Sequence, residues 1–534
     1  MIGTSRIEYI FIQICIVGLH YLAPLSIVYC ALIFACYGLK AATTRLPLAI
    51  EIVLLAESLF YLCAFLPYRA YLQRDAEHPV PPSREERRKL FQLCNDNIAD
   101  PEAYLRTWFL GAHVEDIHKE NLQEFLLWAF FNRGGPPGED EEELDSYVAA
   151  TEKLLGRELA EGRGKAVCLR LTLDRVDMLH RSLTWYFCVG FVDTLTYLRL
   201  LSHGFNFHRT GLSQFFTLFP FRPVSLLSGY RSPAKHTTYW HRPHTSKTKL
   251  PVVFVHGIGI GLYPYTKFVN ELNSIDGLET SDPDDQVGIV LIEIMPVSFR
   301  ITHAALEREN MVREIDQILE EHLDPGQKFV LVSHSYGTVI TTHLLKDPVV
   351  SKKIGPIVLI DPVSVLLHLP DVAYNFTRRK PYHANEHQLY YFASMDMGVA
   401  HTLARHFFWN ENVLWKKDLV GRKVTVSLGG RDLIVNTSAV GKYLSTKSAE
   451  WEESLTRDQD VLVDLGEDDE ESEERKRDSQ ESLVDGQEWK DRAWKPEGIN
   501  VLWFKDLDHA QVFDKPTTRS RIIEVVKAYC NDGN

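Results

Sequence analysis

A serine at position 335 stands in a turn that could make it a nucleophile. The motif SHSYG at 333–337 follows an apolar run at 329–332 and precedes apolar residues at 338–340. This pattern predicts a buried strand, a tight turn and the start of a helix. Such a turn lifts the hydroxyl of Ser335 off the sheet and points the positive end of the helix at it. Small residues must flank the serine: Gly337 meets this requirement, and Ser333 stands where glycine is usual.

A glycine-rich loop follows an earlier apolar strand. The strand predicted at 250–255 runs directly into HGIGIG at 256–261. Because glycine lets the backbone approach a substrate closely, this loop can present an N–H group to the negative charge that develops on an acyl oxygen. The alternative is a dinucleotide-binding loop. The spacing disfavours it, since G-x-G-x-G lacks the third glycine of G-x-G-x-x-G and no acidic residue closes a following strand about 20 residues later.

An aspartate and a histidine follow two later strands. Asp432 ends the sequence GGRD after the strand predicted at 423–428, and His509 lies in DHAQVF after the strand predicted at 500–504. Because open α/β sheets gather their chemistry at the carboxyl ends of strands, Ser335, Asp432 and His509 are expected to converge. The order nucleophile, acid, histidine fits a catalytic triad.

Each of these assignments has an alternative. Asp361, which closes the strand at 356–360, is the alternative acid, and Asp432 could be an ordinary turn residue. His256 and His334 flank glycine turns, but they come before or beside the nucleophile, so we expect them to support loops or line the pocket.

From residue 248 to the C-terminus the sequence resembles the α/β-hydrolase family. The resemblance rests on four motifs in order: HGIGIG as oxyanion loop, SHSYG as nucleophile turn, GGRD as acid turn and DHAQVF as histidine loop. It implies that His509 deprotonates Ser335 while Asp432 orients the imidazole. It also implies an oxyanion hole from backbone N–H groups at Gly257 and Ile258 and that of Tyr336.

The remaining pattern predicts an α/β fold. Another apolar strand is predicted at 287–294, and residues 306–323 have helical spacing of apolar side chains. We therefore expect a mostly parallel sheet with helices on both faces, preceded by N-terminal transmembrane helices and a helical region.

Charge is concentrated in one stretch of the chain. The net charge is −14, and residues 451–495 contain 17 acidic and 7 basic residues. This stretch predicts a disordered, exposed insertion between the acid strand and the histidine strand. The rest of the chain is nearly balanced in charge, which gives no electrostatic case for nucleic-acid binding.

The N-terminus predicts a membrane anchor at 1–70. Residues 9–39 contain no Asp, Glu, Lys or Arg and exceed the roughly 20 residues that cross a bilayer. A second apolar stretch at 46–68 carries Glu51 and Glu57, so either a second span or an interfacial helix is compatible with it. Basic residues at 69–89 predict a cytosolic catalytic domain, although Lys40 and Arg45 weaken that orientation. An endomembrane such as the endoplasmic reticulum is compatible with this, and the eight cysteines suggest no disulfide framework.

Two further regions are aromatic. Residues 71–247 predict a helical region packed on the hydrolase core; the alternative is that a part such as 215–220 dips into the membrane interface. Residues 364–418 form an insertion at the position where the resembled family places a lid.

These features predict a membrane-anchored serine hydrolase of lipase or esterase type, acting on an acyl ester with a large apolar group. The alternatives are an acyltransferase with the same acyl-enzyme and a non-catalytic membrane scaffold. No metal-ligand or phosphate-binding motif is present, so no cofactor is expected.

Overall fold

The computed structural model describes residues 2–38, 48–272, 274, 282–446 and 488–532. Most of the predicted acidic insertion at 451–495 lies outside these residues. Its last part does not behave as predicted. Trp489 is buried and packs edge-on against Trp503, and Trp494 Nε1 donates a hydrogen bond to Thr425 Oγ1. Residues 488–495 therefore belong to the packed domain, because their aromatic side chains have apolar surface to bury.

A nine-stranded sheet forms the centre of the molecule, in the order β2-β1-β3-β5-β4-β6-β7-β8-β9. The strands are β1 Asn206–Arg209, β2 Tyr230–Arg231, β3 Thr238–Arg242, β4 Val252–Val255, β5 Ile289–Glu293, β6 Phe329–His334, β7 Ile354–Ile360, β8 Val424–Gly429 and β9 Ile499–Phe504. From β5 to β9 all neighbours are parallel, and β3 runs antiparallel to both β1 and β5. This confirms the expected mostly parallel sheet.

The sheet begins earlier in the chain than expected. Three strands, β1 to β3, lie within the region 71–247 that the sequence predicts to be helical. β2 has only two residues, and β3 mixes the buried Tyr239 and Trp240 with partly exposed His241 and Arg242. Because short strands with polar ends carry a weak alternation signal, sequence periodicity does not reveal them.

The helices surround this sheet. They are α1 Arg6–Tyr37, α2 Leu48–Leu59, α3 Leu66–Leu72, α4 Arg84–Asn95, α5 Pro101–Trp108, α6 Lys119–Phe131, α7 Glu141–Leu155, α8 Leu183–Ser202, α9 Leu212–Phe215, α10 Thr266–Leu272, α11 Arg308–His322, α12 Gly337–Lys346, α13 Val350–Lys353, α14 Pro370–Thr377, α15 Ala384–Gln388, α16 Met397–Arg405, α17 Trp409–Asn412, α18 Thr437–Ser445 and α19 Pro516–Cys530.

Apolar residues on both faces of the central strands hold the helices in place. In β4, Val253 and Val255 face one buried cluster, whereas Val252 and Phe254 face the other. Successive side chains of a strand point to opposite faces, so a strand buried on both sides must be apolar throughout. The aromatic helices α4–α7 belong to the first cluster, so the helical region shares its core with the sheet.

Two N-terminal helical stretches have the length and composition of membrane spans: Arg6–Tyr37 and Leu48–Leu72, the second made of α2, a π-helical segment at Phe60–Phe65 and α3. Glu57 in the second span is buried. Its carboxylate accepts hydrogen bonds from the backbone N–H groups of Leu183 and Thr184, both at 2.7 Å, at the start of α8. One of the two acidic residues that left this stretch open between a span and an interfacial helix thus caps α8.

The insertion at 364–418 folds between β7 and β8 as α14 to α17. It contacts α1 and the residues before it: the rings of Tyr9 and His387 pack edge to face, and the backbone N–H of Ile2 donates to Gln388 Oε1 at 3.0 Å. The insertion and the N-terminal helix are therefore one packed unit.

Candidate active site

Ser335 occupies a strained turn between β6 and α12. Its φ of 51° lies in the left-handed region, which residues with a Cβ seldom adopt. The backbone N–H of Ser335 donates to the carbonyl of Ile360 in β7 at 3.0 Å, and its carbonyl accepts from Thr338 N at 2.9 Å. These bonds hold the strained turn in place, which lifts the side chain above the sheet.

The small residues around Ser335 are required by close packing. A Cβ on Gly337 would lie 2.4 Å from the carbonyl oxygen of Val255 in β4, so no larger residue fits there. Ser333 replaces the usual first glycine without conflict, because its hydroxyl accepts a hydrogen bond from Thr341 Oγ1 at 2.8 Å. The departure from the usual motif is therefore accommodated by one buried hydrogen bond.

The loops after β6, β8 and β9 bring three side chains into a hydrogen-bonded line. Ser335 Oγ lies 2.8 Å from His509 Nε2, and His509 Nδ1 lies 2.8 Å from Asp432 Oδ2. Asp432 Oδ1 accepts from the backbone N–H groups of Ile434 and Val435 at 2.7 and 2.9 Å, which fixes the carboxylate. An imidazole that donates from Nδ1 to a carboxylate has Nε2 free to accept the serine proton.

The strand order and the position of this turn after β6 decide the fold. The chain has an α/β-hydrolase fold. Its central parallel strands run β5-β4-β6-β7-β8-β9, with β3 antiparallel beside them, and the three side chains follow β6, β8 and β9.

Solved structures with this fold are similar to the chain at low identity. They include a bacterial membrane phospholipase A (9% identity, 65% of this chain and 94% of that chain, TM-score 0.33). Carboxylesterase CesB from Bacillus subtilis is 12% identical over 64% of this chain and 99% of its own (TM-score 0.32). Alpha/beta hydrolase domain-containing protein 10 from mouse is 13% identical over 57% and 97% (TM-score 0.30). No family model matches the sequence, and no curated protein does. Since these TM-scores are below 0.5, the fold assignment rests on the strand order above.

Three carboxylates surround His509. Burial alone would lower the pKa of His509, but Asp432, Asp361 and Asp508 together outweigh it and raise the pKa to about 9. Burial raises the pKa of Asp508, and hydrogen bonds from Asn385 and from the backbone of His509 oppose that rise. An unusually basic imidazole therefore faces the Ser335 hydroxyl.

Asp361, the alternative acid, has a different place. Its two carboxylate oxygens accept from the backbone N–H groups of Gly429 at 3.2 Å and Ala510 at 2.8 Å. It also lies 3.8 Å from His334 Nε2, and its φ is 44°. Asp361 thus ties the acid loop to the histidine loop, while Asp432 is the residue at hydrogen-bonding distance from His509.

The glycine-rich loop lies against Ser335. A Cβ on Gly257 would be 2.7 Å from Ser335 Cβ, so glycine is required for this approach. The Gly257 N–H, however, donates to Tyr265 Oη at 3.1 Å, so the expectation that it faces an oxyanion is wrong. Within the described ranges, the N–H groups of Ile258 and Tyr336 have no intramolecular acceptor. These two N–H groups are therefore available to an acceptor from outside the chain.

Two buried histidines support this loop rather than join the Ser335–His509–Asp432 line. His256 Nδ1 lies 2.7 Å from the Gly257 carbonyl oxygen, and Nε2 accepts from Ile294 N–H at 2.9 Å, so the neutral ring carries its proton on Nδ1. His334 Nδ1 lies 2.8 Å from Tyr265 Oη, and burial lowers the pKa of His334 to about 4. Both rings are therefore neutral at physiological pH.

Sequence reasoning missed three supporting residues. Tyr265 links Gly257 to His334, and Asn385 of α15 donates to Asp508 beside the histidine. Asp508, next to His509, is buried and accepts hydrogen bonds from Leu433 N–H and His509 N–H. Only Asp508 offered a sequence signal, its adjacency to His509; the others depend on contacts far along the chain.

An apolar cavity of about 670 Å³, which includes its open mouth, begins at Ser335. Three parts of the chain build it. The core contributes Ile258 and Ile434, the helical region contributes Trp108 and Trp128, and the insertion at 364–418 contributes Val372, Ala373, Phe376, Leu403 and Phe407. The site therefore joins an activatable hydroxyl to a space that suits hydrocarbon.

Two clusters in the described part of the chain have nitrogen or oxygen atoms within 4.8 Å of one another, as metal binding requires. Asp361, Asp432 and His509 form one, but their atoms serve the hydrogen bonds above. The other consists of His208, His241 and His322. The rings of His241 and His322 stack with centroids 3.7 Å apart, so one ion cannot lie in both ring planes.

Proposed function

We propose that this chain is a membrane-anchored serine hydrolase that cleaves acyl esters, with lipid esters as the substrate class. The observation that carries the proposal is the Ser335–His509–Asp432 hydrogen-bonded line at the end of an apolar cavity. A scaffold protein needs neither a strained serine turn nor a histidine oriented by a carboxylate.

In the proposed reaction, Ser335 Oγ attacks the ester carbonyl carbon while His509 Nε2 takes the hydroxyl proton. The carbonyl electron pair moves to oxygen, and the N–H groups of Ile258 and Tyr336 stabilise that charge. His509 then gives the proton to the departing alcohol oxygen as the C–O bond breaks, which leaves an ester on Ser335. Water attacks this ester, His509 takes one of its protons, and the proton returns to Oγ as the carboxylic acid leaves.

The cavity supports an apolar acyl group. Its lining near Ser335 is aliphatic and aromatic, so an acyl chain bound there would leave water. A second, more polar cavity of about 1700 Å³, which includes its open mouth, shares Tyr336 with the first and is lined by charged residues that include Arg74, Arg308 and Glu411. Such a pair of cavities suits a substrate with one apolar and one polar part.

The two N-terminal helices support a lipid rather than a soluble substrate. Their outward faces are apolar along their length, for example at Ile14, Leu25 and Leu32 of α1. An enzyme held at a bilayer meets esters that water does not carry.

The test is covalent labelling of the detergent-solubilised full chain with a fluorophosphonate probe, alongside hydrolysis of short and long acyl esters. We expect the wild type to label and to hydrolyse, and Ser335→Ala to do neither. Ser427→Ala is the matched control, since this buried serine has a hydroxyl without a hydrogen-bond partner among the described residues and is expected to retain both activities.

Absence of labelling in a folded wild type would overturn the proposal in favour of a scaffold. Labelling that persists in Ser335→Ala would show that another residue is the nucleophile.

A further inference from the structure

Helix α8 exposes large apolar side chains and buries its one acidic residue. Its buried face holds Asp193, and its exposed face holds Phe187 (67% exposed) and Phe191 (66%), followed by Leu195, Leu198 and Leu201. A helix that packs on a soluble core buries its apolar stripe and exposes its charges. The buried face of α8 is apolar as well, with Tyr186, Val189 and Leu200, but its aspartate lies inside and its exposed face carries phenylalanines and leucines.

The buried charge of α8 is neutralised inside the domain. Asp193 accepts from Arg222 Nε at 2.9 Å and from Arg300 at 2.6 Å, and Glu293 accepts two hydrogen bonds from Arg222 at 2.8 and 3.0 Å. Leaving such a carboxylate unpaired in the interior would be costly, so the network fixes which face of α8 points inward. The apolar face of α8 therefore points outward because the ion pairs of Asp193 hold the opposite face inside.

The segment at 211–230 repeats this pattern beside α8. It contains one charged residue, Arg222, and that residue is buried in the network above. Phe216 (76% exposed) and Leu227 (82%) project outward, as do Leu212, Phe221 and Tyr230. Together with α8 they make an exposed apolar surface, which we call the α8 surface; surfaces of this kind mark contact with a membrane or a partner.

The α8 surface is continuous with the two N-terminal spans. Glu57, near the middle of the span Leu48–Leu72, caps the start of α8, and the ring of Phe60 packs against that of Phe219. The carbonyl oxygen of His20, near the middle of α1, accepts from His180 Nε2 at 2.7 Å just before α8. The start of α8 is thus fixed at the mid-length of both spans.

These contacts with α1 and with the span Leu48–Leu72 determine how deep the start of α8 lies in the bilayer. The 32 residues of α1 extend about 48 Å at 1.5 Å per residue, which exceeds the roughly 30 Å of bilayer hydrocarbon. Residues at the middle of both spans lie at hydrocarbon depth if the spans cross the bilayer. The start of α8 must then lie at that depth too, and its phenylalanines face lipid.

We propose that the α8 surface is embedded in the same lipid bilayer as α1 and α2, so that the catalytic domain is partly submerged. This inference rests on the membrane anchoring in the proposed function. Arg199, the only exposed charge on α8, lies in its last turn, where its long side chain can reach the polar lipid headgroups.

The test places an environment-sensitive label on single cysteines at 191 and 216 of the full chain in phospholipid vesicles. The exposed cysteines Cys36, Cys63 and Cys188 are first replaced by serine. A label at Leu25, exposed on α1, is the lipid reference, and one at Val349, exposed beside α13, is the aqueous control.

We expect lipid-borne nitroxide to quench the labels at 191 and 216 several-fold more than the label at 349, and aqueous iodide to do the reverse. Labels at 191 and 216 that behave like the label at 349 would overturn the proposal. So would shielding from both quenchers together with cross-linking between copies, since a second protein would then cover the surface.

A functional measurement separates this inference from the proposed activity. Phe216→Asp and Phe191→Asp are expected to hydrolyse a vesicle-borne ester several-fold more slowly while their rate on a short soluble ester is unchanged, and Val349→Asp is expected to match the wild type on both. Unchanged vesicle hydrolysis in the Phe variants would refute the embedding of the α8 surface in the bilayer and leave the esterase function standing. A failure of the wild type on every ester, with labels in lipid, would refute the esterase function alone.

Discussion

Asn385 of the lid insertion donates a hydrogen bond from Nδ2 to Asp508 Oδ2 at 2.8 Å. The other carboxylate oxygen of Asp508 accepts from the backbone N–H groups of His509 at 2.7 Å and Leu433 at 3.0 Å. One buried aspartate thus connects the lid insertion to the loops that carry the proposed acid and base. Because α15 also contacts α1, this connection extends to the first span.

Asn385→Leu is expected to move the pH profile. Loss of the amide raises the pKa of Asp508, so Asp508 carries less negative charge beside His509, and the pKa of His509 falls. The acid limb of kcat/KM should therefore shift to lower pH. Asn412→Leu, which removes another buried asparagine of the insertion whose partner is His343, is the control. Both variants should lose about 1–3 kcal/mol of stability, and an equal profile in both would show that Asn385 is only structural.

Activity should require alkaline pH. Only neutral His509 can accept the Ser335 proton, and its pKa is raised to about 9. The rate constant kcat/KM should therefore rise with pH up to about 9 and fall as His509 becomes protonated on acidification. Asp432→Asn should lower the limiting rate by about 10⁴-fold. It should also move the acid limb of the pH profile to lower pH, because Asp432 is the carboxylate that raises the pKa of His509 most. A limb that stays in place in this variant would exclude Asp432 as the partner of His509.

Asp361→Asn should be less harmful than Asp432→Asn. Asp361 touches two backbone N–H groups, and an amide can accept only one of them, so one bond is lost at a cost of about 1–3 kcal/mol in stability. Thermal unfolding should show this loss, while kcat falls far less than in Asp432→Asn. The reverse order of kcat values would make Asp361 the acid.

Two glycines of one loop should differ sharply. An alanine Cβ at Gly257 would lie 2.7 Å from Ser335 Cβ, whereas at Gly259 it would meet nothing within 4 Å. Displacing a nucleophile by about 1 Å costs about 10²-fold in rate, so Gly257→Ala should lose about that much kcat/KM and Gly259→Ala almost none. Fluorophosphonate labelling rates measure this directly, and equal rates in the two variants would mean that the loop does not constrain Ser335.

Filling the cavity should change chain-length preference. Ala373 of α14 lines it, and Ala373→Phe would occupy space that an acyl chain needs. We expect the KM for long-chain esters to rise while short-chain esters are hydrolysed as before. The short-chain ester is therefore the control within each preparation of the variant. An equal loss on both lengths would place the acyl chain elsewhere.

The sequence alone determined the local chemistry of this protein. Apolar runs that end in SHSYG, GGRD and DHAQVF specify strands followed by tight turns, because those turns need small or polar residues whatever lies around them. The parallel strands from β4 to β9 were predictable because burial on both faces of the sheet demands continuous apolar sequence. The two long apolar N-terminal helices were visible as stretches of spanning length.

Only the tertiary structure decided which groups meet. Asp361 and Asp432 both follow a strand, and nothing local tells which one lies beside His509 and which one binds the neighbouring loops. The Gly257 N–H is taken by a tyrosine hydroxyl, Glu57 caps a helix more than a hundred residues away, and β1 to β3 are too short to carry a pattern. Each of these depends on contacts between distant segments, and their energies do not exist until the chain is folded.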